Sequence, residues 1–269
     1  MGKLQKLIQG TASLLNKPSL INLVLEDQEV NRKKVNQTYG FFNGLPRIEI
    51  SSLTDKNEFL IHPYTFLEGG SLPTDYLLLC VLAEKFKECV YFEIGTWRGE
   101  SAMNVSRYAQ EIFTLNLSEE QMRSKGWDEK YIQLHGFFSK SNPKIKHLTG
   151  DSMSFDFSFL EKKCDLIFID GDHHYEAVRK DTENCLRLRK NENSIIVWHD
   201  YGVSTESTRW EVLRGILDAV PKENHRHLYA VNNTLCAVYL PHEIFSFEAD
   251  FPQTPAFDFE LNIKLKKIT

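Results

Sequence analysis

The sequence predicts an α/β protein built on a doubly wound, seven-stranded sheet that ends in an antiparallel hairpin strand. From residue 76 onward, short apolar runs alternate with helix-compatible segments, which is typical of parallel strands joined by helices. The last two runs, 227–231 and 234–240, are separated only by Asn232 and Asn233, and asparagine tolerates the positive φ of a tight turn. The pair is therefore predicted to close the sheet as a hairpin.

The first part of the chain is predicted to hold a helix and a short strand. Leu4, Leu7 and Ile8 fall at helical spacing with lysines between them, so the chain is predicted to begin with an amphipathic helix. Apolar and polar residues alternate over 45–51, and this segment is predicted as a strand outside the main sheet. A linker at 69–75 leads into a helix over 76–87. The remaining predicted strands of the main sheet lie at 90–94, 112–117, 145–149, 166–170 and 194–198.

Two segments do not fit the repeating pattern. The excursion at 118–144 is longer than a normal helix with its loops, and it is either packed decoration or a lid over a substrate. Residues 257–265 alternate apolar and polar and are predicted as a half-buried strand. Its partner is either the segment at 47–53 or the edge of a second subunit.

These features predict three regions. Residues 1–68 form an N-terminal appendage, residues 69–240 form the main domain, and residues 241–269 form a C-terminal tail. Substrate specificity is expected to come from the appendage, the excursion and the tail, and a homo-oligomer is compatible with the two amphipathic ends.

The composition of the chain argues against several classes of protein. The chain has 269 residues and a net charge of −5, which argues against a dedicated nucleic-acid binder. Its five cysteines are scattered and form no C-x-x-C, so buried free thiols are expected. No apolar run approaches the ~20 residues of a transmembrane segment. The N-terminus lacks the apolar core of a signal peptide, so a cytoplasmic location is expected.

A glycine loop follows the first predicted strand of the main sheet. It reads Glu93-Ile-Gly-Thr-Trp-Arg-Gly-Glu-Ser101, and Gly95 and Gly99 allow close approach of the backbone to a bound cofactor. The spacing is neither the dinucleotide fingerprint G-x-G-x-x-G nor a Walker loop. A tight strand-to-helix connection without a ligand is the alternative.

The other strands of the sheet also end in polar residues. In chain order these are Asn116, Asp151, Asp170 and the pair His199-Asp200. Because cofactors bind at the carboxyl ends of parallel strands, this clustering predicts a ligand site. Asp170 and Asp200 are 30 residues apart, one βα unit, so neighbouring strands would place both carboxylates side by side. Paired carboxylates favour a cation between them, with Mg²⁺ as the expected ion.

Histidines accompany the two carboxylates. His173 follows Asp170 in the stretch Asp-Gly-Asp-His-His, and an imidazole at this place is suited to act as a general base. His199 is the second candidate base, whereas His174 is expected to be a surface residue. The alternative for His199 and Asp200 is that they only bond to loop backbone.

Together these motifs resemble class I S-adenosylmethionine (SAM) dependent methyltransferases of the methyltransferase 24 type. That group is related to catechol-type and macrolide-sugar O-methyltransferases. The resemblance rests on the glycine loop, on Phe168-Ile-Asp-Gly-Asp-His-His-Tyr-Glu176 and on Val197-Trp-His-Asp-Tyr201. It covers about residues 69–240 and implies a Rossmann-like sheet whose last strand is antiparallel.

The resemblance also implies roles for individual residues. The methionine part of SAM would be held by Glu93, Gly95, Thr96, Gly99 and Ser101. The end of the second strand, Asn116, would bind the ribose hydroxyls, while Asp151 and Ser152 would flank the adenine. Asp170 would lie near the sulfonium and, with Asp200, would bind Mg²⁺ in a metal-dependent relative. Asn116 departs from the usual acidic residue, because an amide accepts hydrogen bonds only through its carbonyl oxygen.

The predicted function is therefore SAM-dependent methyl transfer, with O-methylation of a sugar or other hydroxylated small molecule as the expected reaction. Asp170, His173 and His199 are the candidate catalytic residues, and Mg²⁺ assistance is one option. A nicotinamide-dependent oxidoreductase is disfavoured because its glycine fingerprint is absent. The alternative from another class is a non-catalytic methyltransferase-like scaffold or partner subunit.

Overall fold

The computed structural model describes residues 2–18 and 28–268, and within them the chain folds around one large sheet. Eight of its strands form this sheet, in the spatial order β1-β9-β10-β6-β5-β2-β3-β4. The strands are β1 (Arg47–Ile48), β2 (Cys89–Ile94), β3 (Ala109–Asn116), β4 (Ile145–Thr149), β5 (Leu166–Ile169), β6 (Ile195–Trp198), β9 (Leu228–Val231) and β10 (Ala237–Tyr239). A separate small hairpin pairs β7 (Gly202–Ser204) with β8 (Ser207–Thr208).

Strand directions confirm the predicted fold class. The neighbours from β4 to β6 pair in parallel, and β10 runs antiparallel to both β6 and β9. The seven strands predicted for the main sheet are all present, and Asn233 at the hairpin turn has a φ of +60°. The order reverses between β2 and β5, and such a switch point is where open α/β sheets bind ligands.

Helices cover both faces of the sheet. The described helices are α1 (Lys3–Asn16), α2 (Gln28–Tyr39), α3 (Pro73–Glu84), α4 (Glu100–Val105), α5 (Glu119–Ser124), α6 (Glu129–Gln133), α7 (Tyr175–Leu188) and α8 (Trp210–Ala219). Short 3-10 helices occupy Ile50–Ser52, Ser158–Leu160 and Lys222–His227. One apolar core joins the sheet to α2, α7 and α8, and the other joins it to α3 and α4. Successive residues of β2 pack into opposite cores, because successive side chains of a strand point to opposite faces of the sheet.

The segment around residue 47 corrects one prediction. It was expected outside the main sheet, but β1 pairs in parallel with β9 and forms the eighth strand. On its other side, Arg47 and Phe247 exchange backbone hydrogen bonds of 2.7 and 3.0 Å. The N-terminal region therefore completes the edge of the sheet. A two-residue strand carries too weak a pattern for its sheet to be predicted from sequence.

The tail corrects a second prediction. Residues 257–265 were expected to form a half-buried strand, but the structure assigns no strand there and leaves their apolar side chains exposed. Leu265, for example, is 98% exposed. The alternation is real, but none of the described strands pairs with this segment, and Phe247 instead pairs with the outer side of β1.

The N-terminal helix and the cysteines follow the sequence predictions more closely. Helix α1 forms as predicted, and none of its residues is buried. All five cysteines are buried and free. None of the described helices combines the length and the apolar character needed to cross a membrane.

Candidate functional site

The glycine loop begins at a carboxylate with no exposed surface. Glu93 ends β2, and its Oε2 accepts hydrogen bonds of 2.8 Å from both the Tyr91 hydroxyl and the Ser101 hydroxyl. Its other oxygen, Oε1, is buried without a hydrogen-bond partner. Burial raises the pKa of Glu93 to about 8, although the two hydroxyl bonds act in the opposite direction. A buried carboxylate oxygen without a donor is suited to receive a cationic or donor group from a ligand.

The two glycines of the loop are required by backbone conformation and by packing. Gly95 has a φ of +94°, and a Cβ there would lie 1.8 Å from the carbonyl oxygen of Asp170. Gly99 has a φ of +79°, and its Cβ would lie 2.0 Å from the Ser139 hydroxyl. Residues with a side chain rarely adopt such φ values. The loop therefore packs directly against the end of β5 and against the excursion.

Further unpartnered polar atoms lie in the same loop. The Thr96 hydroxyl and the Trp97 indole Nε1 are both buried without hydrogen-bond partners. With Glu93 Oε1, they make three unsatisfied polar atoms within five consecutive residues. Buried polar groups without partners are rare in folded proteins, so this concentration indicates a ligand-binding loop.

The excursion at 118–144 supports this loop. Trp97 stacks on Tyr131 with ring centroids 4.1 Å apart, and the Trp97 carbonyl accepts a hydrogen bond from the Gly136 amide. Phe138 donates its amide to the Arg98 carbonyl over 2.9 Å. Trp127 and Tyr131 are 39% and 42% exposed, so aromatic surface borders the site. The excursion is thus packed against the glycine loop.

The ends of β3 and β4 bring the other predicted cofactor residues together. The Gly150 amide donates to the Asn116 carbonyl over 2.9 Å, which places Asn116 beside the turn that holds Asp151 and Ser152. The Asn116 side-chain nitrogen donates to the Leu117 carbonyl over 3.2 Å. All three predicted residues are half-buried at the same sheet edge as the glycine loop.

Asp181 was not predicted, and it supports this turn from helix α7. Its Oδ1 is buried without a hydrogen-bond partner. Burial raises the pKa of Asp181 to about 6, against a hydrogen bond with Ser152 that lowers it. The neighbouring Asn184 donates to the Ser152 carbonyl over 3.2 Å. In the sequence, Asp181 looks like any other residue of an amphipathic helix. No pattern in the sequence therefore indicated that it contacts the turn at Ser152.

The acidic and imidazole groups at the ends of β5 and β6 form one cluster. Asp170, His199 and Asp200 each offer a ligand atom, and these three atoms lie within 4.8 Å of one another. His199 Nδ1 is 3.0 Å from Asp170 Oδ1 and 3.5 Å from Asp200 Oδ2, yet it has no hydrogen-bond partner. Asp200 has a φ of +54°, a conformation unusual for a residue with a side chain.

The charges in this cluster influence one another. Burial lowers the pKa of His199, but Asp170, Asp200 and Asp75 outweigh it and raise that pKa well above its usual value. Burial likewise raises the pKa of Asp170, whereas His199 lowers it. Arg209 lies 3.7 Å from Asp200 and adds a second positive charge. The pair predicted from the 30-residue spacing is therefore brought together, with a histidine between its two members.

Asp75 is a member of the site that sequence reasoning missed. It lies in the first turn of α3, has no exposed surface, and places Oδ2 3.2 Å from His199 Nε2. It also accepts hydrogen bonds from the Leu72 and Leu235 amides. An acidic residue shortly after Pro73 is a common signal for the start of a helix. The sequence therefore offered no reason to expect that Asp75 contacts His199.

The two histidines of the Asp-Gly-Asp-His-His stretch differ in position. His173 is half-buried and lines the same small cavity as Asp170, His199 and Asp200. His174 is exposed and contacts Asp172 close by. The structure thus brings His173 to the cluster and places His174 at the surface.

Comparison with known proteins gives one family match and several similar solved structures. Residues 92–201 match a family described as "Methyltransferase domain". No curated protein matches the sequence. Many solved structures are similar, and three of them are described below, each with low sequence identity. The YcgJ protein from Bacillus subtilis is 19% identical with a TM-score of 0.32, and the match covers 45% of this chain and 48% of that one.

The other two similar structures are methyltransferases by their descriptions. SAH-bound PaMTH1 of Podospora anserina is 20% identical with a TM-score of 0.44, over 64% of this chain and 80% of that one. A putative O-methyltransferase of Klebsiella pneumoniae is 17% identical with a TM-score of 0.40, and the match covers 65% of this chain and 83% of that one. The chain spans at most half the length of the first solved structures that it matches. The family match includes the glycine loop and the cluster of Asp170, His199 and Asp200, so residues 92–201 are similar to the methyltransferase family that these motifs resemble.

Proposed function

We propose that the protein transfers a methyl group from SAM to a hydroxyl oxygen of a sugar or another small molecule. The observation that carries this proposal is the group of unpartnered buried atoms in the glycine loop, Glu93 Oε1, Thr96 Oγ1 and Trp97 Nε1. They lie next to Asp170, whose backbone touches Gly95 and whose carboxylate belongs to the cluster with His199. The glycine loop, which is suited to bind a polar ligand, thus lies next to the cluster of Asp170, His199 and Asp200, which is suited to acid–base or metal chemistry.

The residues present fit SAM. Glu93 offers an acceptor of the kind that the α-ammonium group of the methionine part requires. Thr96 and Trp97 offer hydrogen-bond donors of the kind that its carboxylate requires. Asn116 would face the ribose, and the turn at Asp151 and Ser152, supported by Asp181, would face the adenine. The proposal extends the methyltransferase unit beyond the matched segment to about residues 69–240.

In the reaction, the acceptor oxygen forms a bond to the methyl carbon while the bond from that carbon to the sulfonium sulfur breaks. The acceptor proton must leave for a base on the protein. His173 fills this role better than His199, because both line the cavity but only His199 is enclosed by three carboxylates. An imidazole nitrogen is suited to take up this proton as a general base. The remaining task of the protein is to orient the reactants and to exclude water.

A divalent cation, expected as Mg²⁺, fits the cluster if it replaces the proton that the surrounding carboxylates favour on His199. Asp170 and Asp200 supply oxygen ligands, and His199 Nδ1 faces both of them without a hydrogen bond. The ligand atoms of Asp170, His199 and Asp200 lie within 4.8 Å of one another, close enough for one ion to be held by all three. When bound, such an ion lowers the pKa of a coordinated hydroxyl and orients it.

Calorimetric titration with SAM tests the cofactor assignment. We expect binding by the wild-type protein and weaker binding by Thr96→Val, which removes the buried hydroxyl at nearly constant shape. Thr11→Val, at an exposed position of α1, is the matched control and keeps full affinity. If the folded wild-type protein does not bind SAM, the enzyme proposal is wrong and the non-catalytic scaffold becomes the better interpretation.

The acceptor class requires a second measurement. Hydroxylated sugars, catechols and amines are incubated with the protein and SAM, and methylated products are identified by mass spectrometry. Transfer to sugar or other hydroxyl oxygens supports the proposal, whereas transfer only to amines contradicts it. The cytoplasmic location and a homo-oligomeric state stay predictions of the sequence.

A further inference from the structure

The imidazole of His199 is held by a buried carboxylate on the side away from the acidic pair. Asp75 has no exposed surface, and its Oδ2 lies 3.2 Å from His199 Nε2. Asp75 comes from α3, outside the matched residues 92–201. Nε2 therefore donates its N–H to Asp75, and this bond fixes the rotation of the ring.

With Nε2 engaged, Nδ1 points at the two acidic side chains. His199 is only 9% exposed, and Nδ1 has no hydrogen-bond partner despite lying 3.0 Å from Asp170 and 3.5 Å from Asp200. Histidines that bind metals usually donate their second ring N–H to a carboxylate or a carbonyl. The arrangement of Asp75, His199 and the acidic pair matches this pattern.

We propose that His199 Nδ1, oriented by Asp75, is the third ligand of the cation site and makes it select a first-row transition-metal ion over Mg²⁺. This inference rests on the proposed function, since it concerns the same site. Mg²⁺ strongly prefers oxygen ligands, whereas imidazole nitrogen favours transition metals. Two carboxylate oxygens and one nitrogen form a mixed donor set that leaves positions for water or an acceptor hydroxyl.

Manganese serves as the probe, because its electron spin reports on nitrogen ligands. The full-length protein without added SAM is titrated with Mn²⁺ and Mg²⁺ by calorimetry, and the Mn²⁺ form is examined by pulsed electron paramagnetic resonance. We expect Mn²⁺ to bind more tightly by on the order of tenfold and to show a directly coordinated ¹⁴N nucleus. That coupling persists in His173→Gln and disappears in His199→Gln.

Asp75 is tested as a positioning residue. Asp75→Asn keeps the shape of the side chain but removes the carboxylate, and we expect it to weaken Mn²⁺ binding more than Mg²⁺ binding. Thr74→Val is the matched control. It removes a different bond between α3 and the hairpin turn, from Thr74 to the Asn233 carbonyl, and leaves Asp75 and His199 in contact. It is expected to keep both the ¹⁴N coupling and the preference for Mn²⁺.

Several results would overturn the inference. These are bound Mn²⁺ without ¹⁴N coupling, coupling that depends on His173, equal affinity for both ions, or no metal binding. The wild-type spectrum decides whether a nitrogen is bound, and His173→Gln, at a half-buried position, then decides whether it belongs to His199, so a His199 variant that fails to fold does not block the test. SAM titration without metal is measured in parallel. Loss of SAM binding with intact ¹⁴N coupling contradicts the proposed function and leaves the metal assignment standing.

Discussion

Asp75 and His199 lie 124 positions apart in the chain, yet Oδ2 of Asp75 is 3.2 Å from Nε2 of His199. The contact joins the first turn of α3 to the carboxyl end of β6. Because Asp75 also accepts the Leu235 amide over 2.8 Å, one carboxylate connects a helix, the hairpin turn and the cluster at the sheet edge. The residues before the matched domain therefore contribute directly to its site.

The buried carboxylate of Glu93 predicts a pH-dependent stability. Its pKa in the folded state is raised to about 8 from 4.5, mainly by burial, so ionisation is costlier in the folded than in the unfolded protein. Its contribution to the free energy of unfolding is therefore greatest below pH 4.5 and is lost as the pH rises towards 8. The slope in this window approaches about 1.4 kcal/mol per pH unit.

Urea unfolding between pH 5 and 8 measures this effect in the protein without ligand. Other groups titrate in the same range, so the relevant quantity is the difference between wild type and Glu93→Gln. The variant should lack this part of the slope. A difference that does not change with pH would show that Glu93 has an ordinary pKa.

Gly95→Ala is expected to destabilise the protein severely, by roughly 3 kcal/mol or more. The new Cβ would lie 1.8 Å from the Asp170 carbonyl oxygen, and the φ of +94° is unfavourable for alanine. Gly126→Ala separates the two causes, because Gly126 has a φ of +77° but open space around its Cβ position. Thermal unfolding should show a loss of only about 1 kcal/mol for Gly126→Ala. Equal losses for both variants would contradict the close packing at Gly95.

Asn116→Asp is expected to strengthen SAM binding by about tenfold. A carboxylate makes charge-assisted hydrogen bonds to both ribose hydroxyls, which are stronger than bonds to an amide carbonyl. Calorimetry measures the dissociation constant, and Asn193→Asp, at an exposed position away from the sheet edge, controls for the added charge. Unchanged or weaker binding would mean that Asn116 does not contact the ribose.

His173→Gln is expected to lower kcat for methyl transfer by about 10² or more, with SAM affinity unchanged. The loss reflects removal of the group that accepts the hydroxyl proton. His174→Gln is the matched control, since His174 is exposed and contacts Asp172. Steady-state kinetics should give His174→Gln a kcat near that of the wild type. If His174→Gln is the more damaging change, the assignment of the base is wrong.

Much of the sheet could be predicted because it depends on local pattern. Each main strand is a short apolar run bounded by turn residues, and the Asn232-Asn233 turn marks the closing hairpin. The sheet that β1 joins and the strand expected in the tail were predicted wrongly, for opposite reasons. Arg47 and Ile48 form too short a run to show which sheet they join, while residues 257–265 alternate between apolar and polar but pair with none of the described strands.

The sequence by itself determined the fold class and the residues at the strand ends, because alternating strands and helices place those ends at one edge of the sheet. Glu93, the two glycines, Asp170, His173, His199 and Asp200 could all be named in this way. Only the tertiary structure decided that His199 lies between the two carboxylates, that Asp75 holds its ring, and that Asp181 supports the turn at Ser152. These contacts join residues from different helices and strands, and no periodicity in one segment encodes a distance to another.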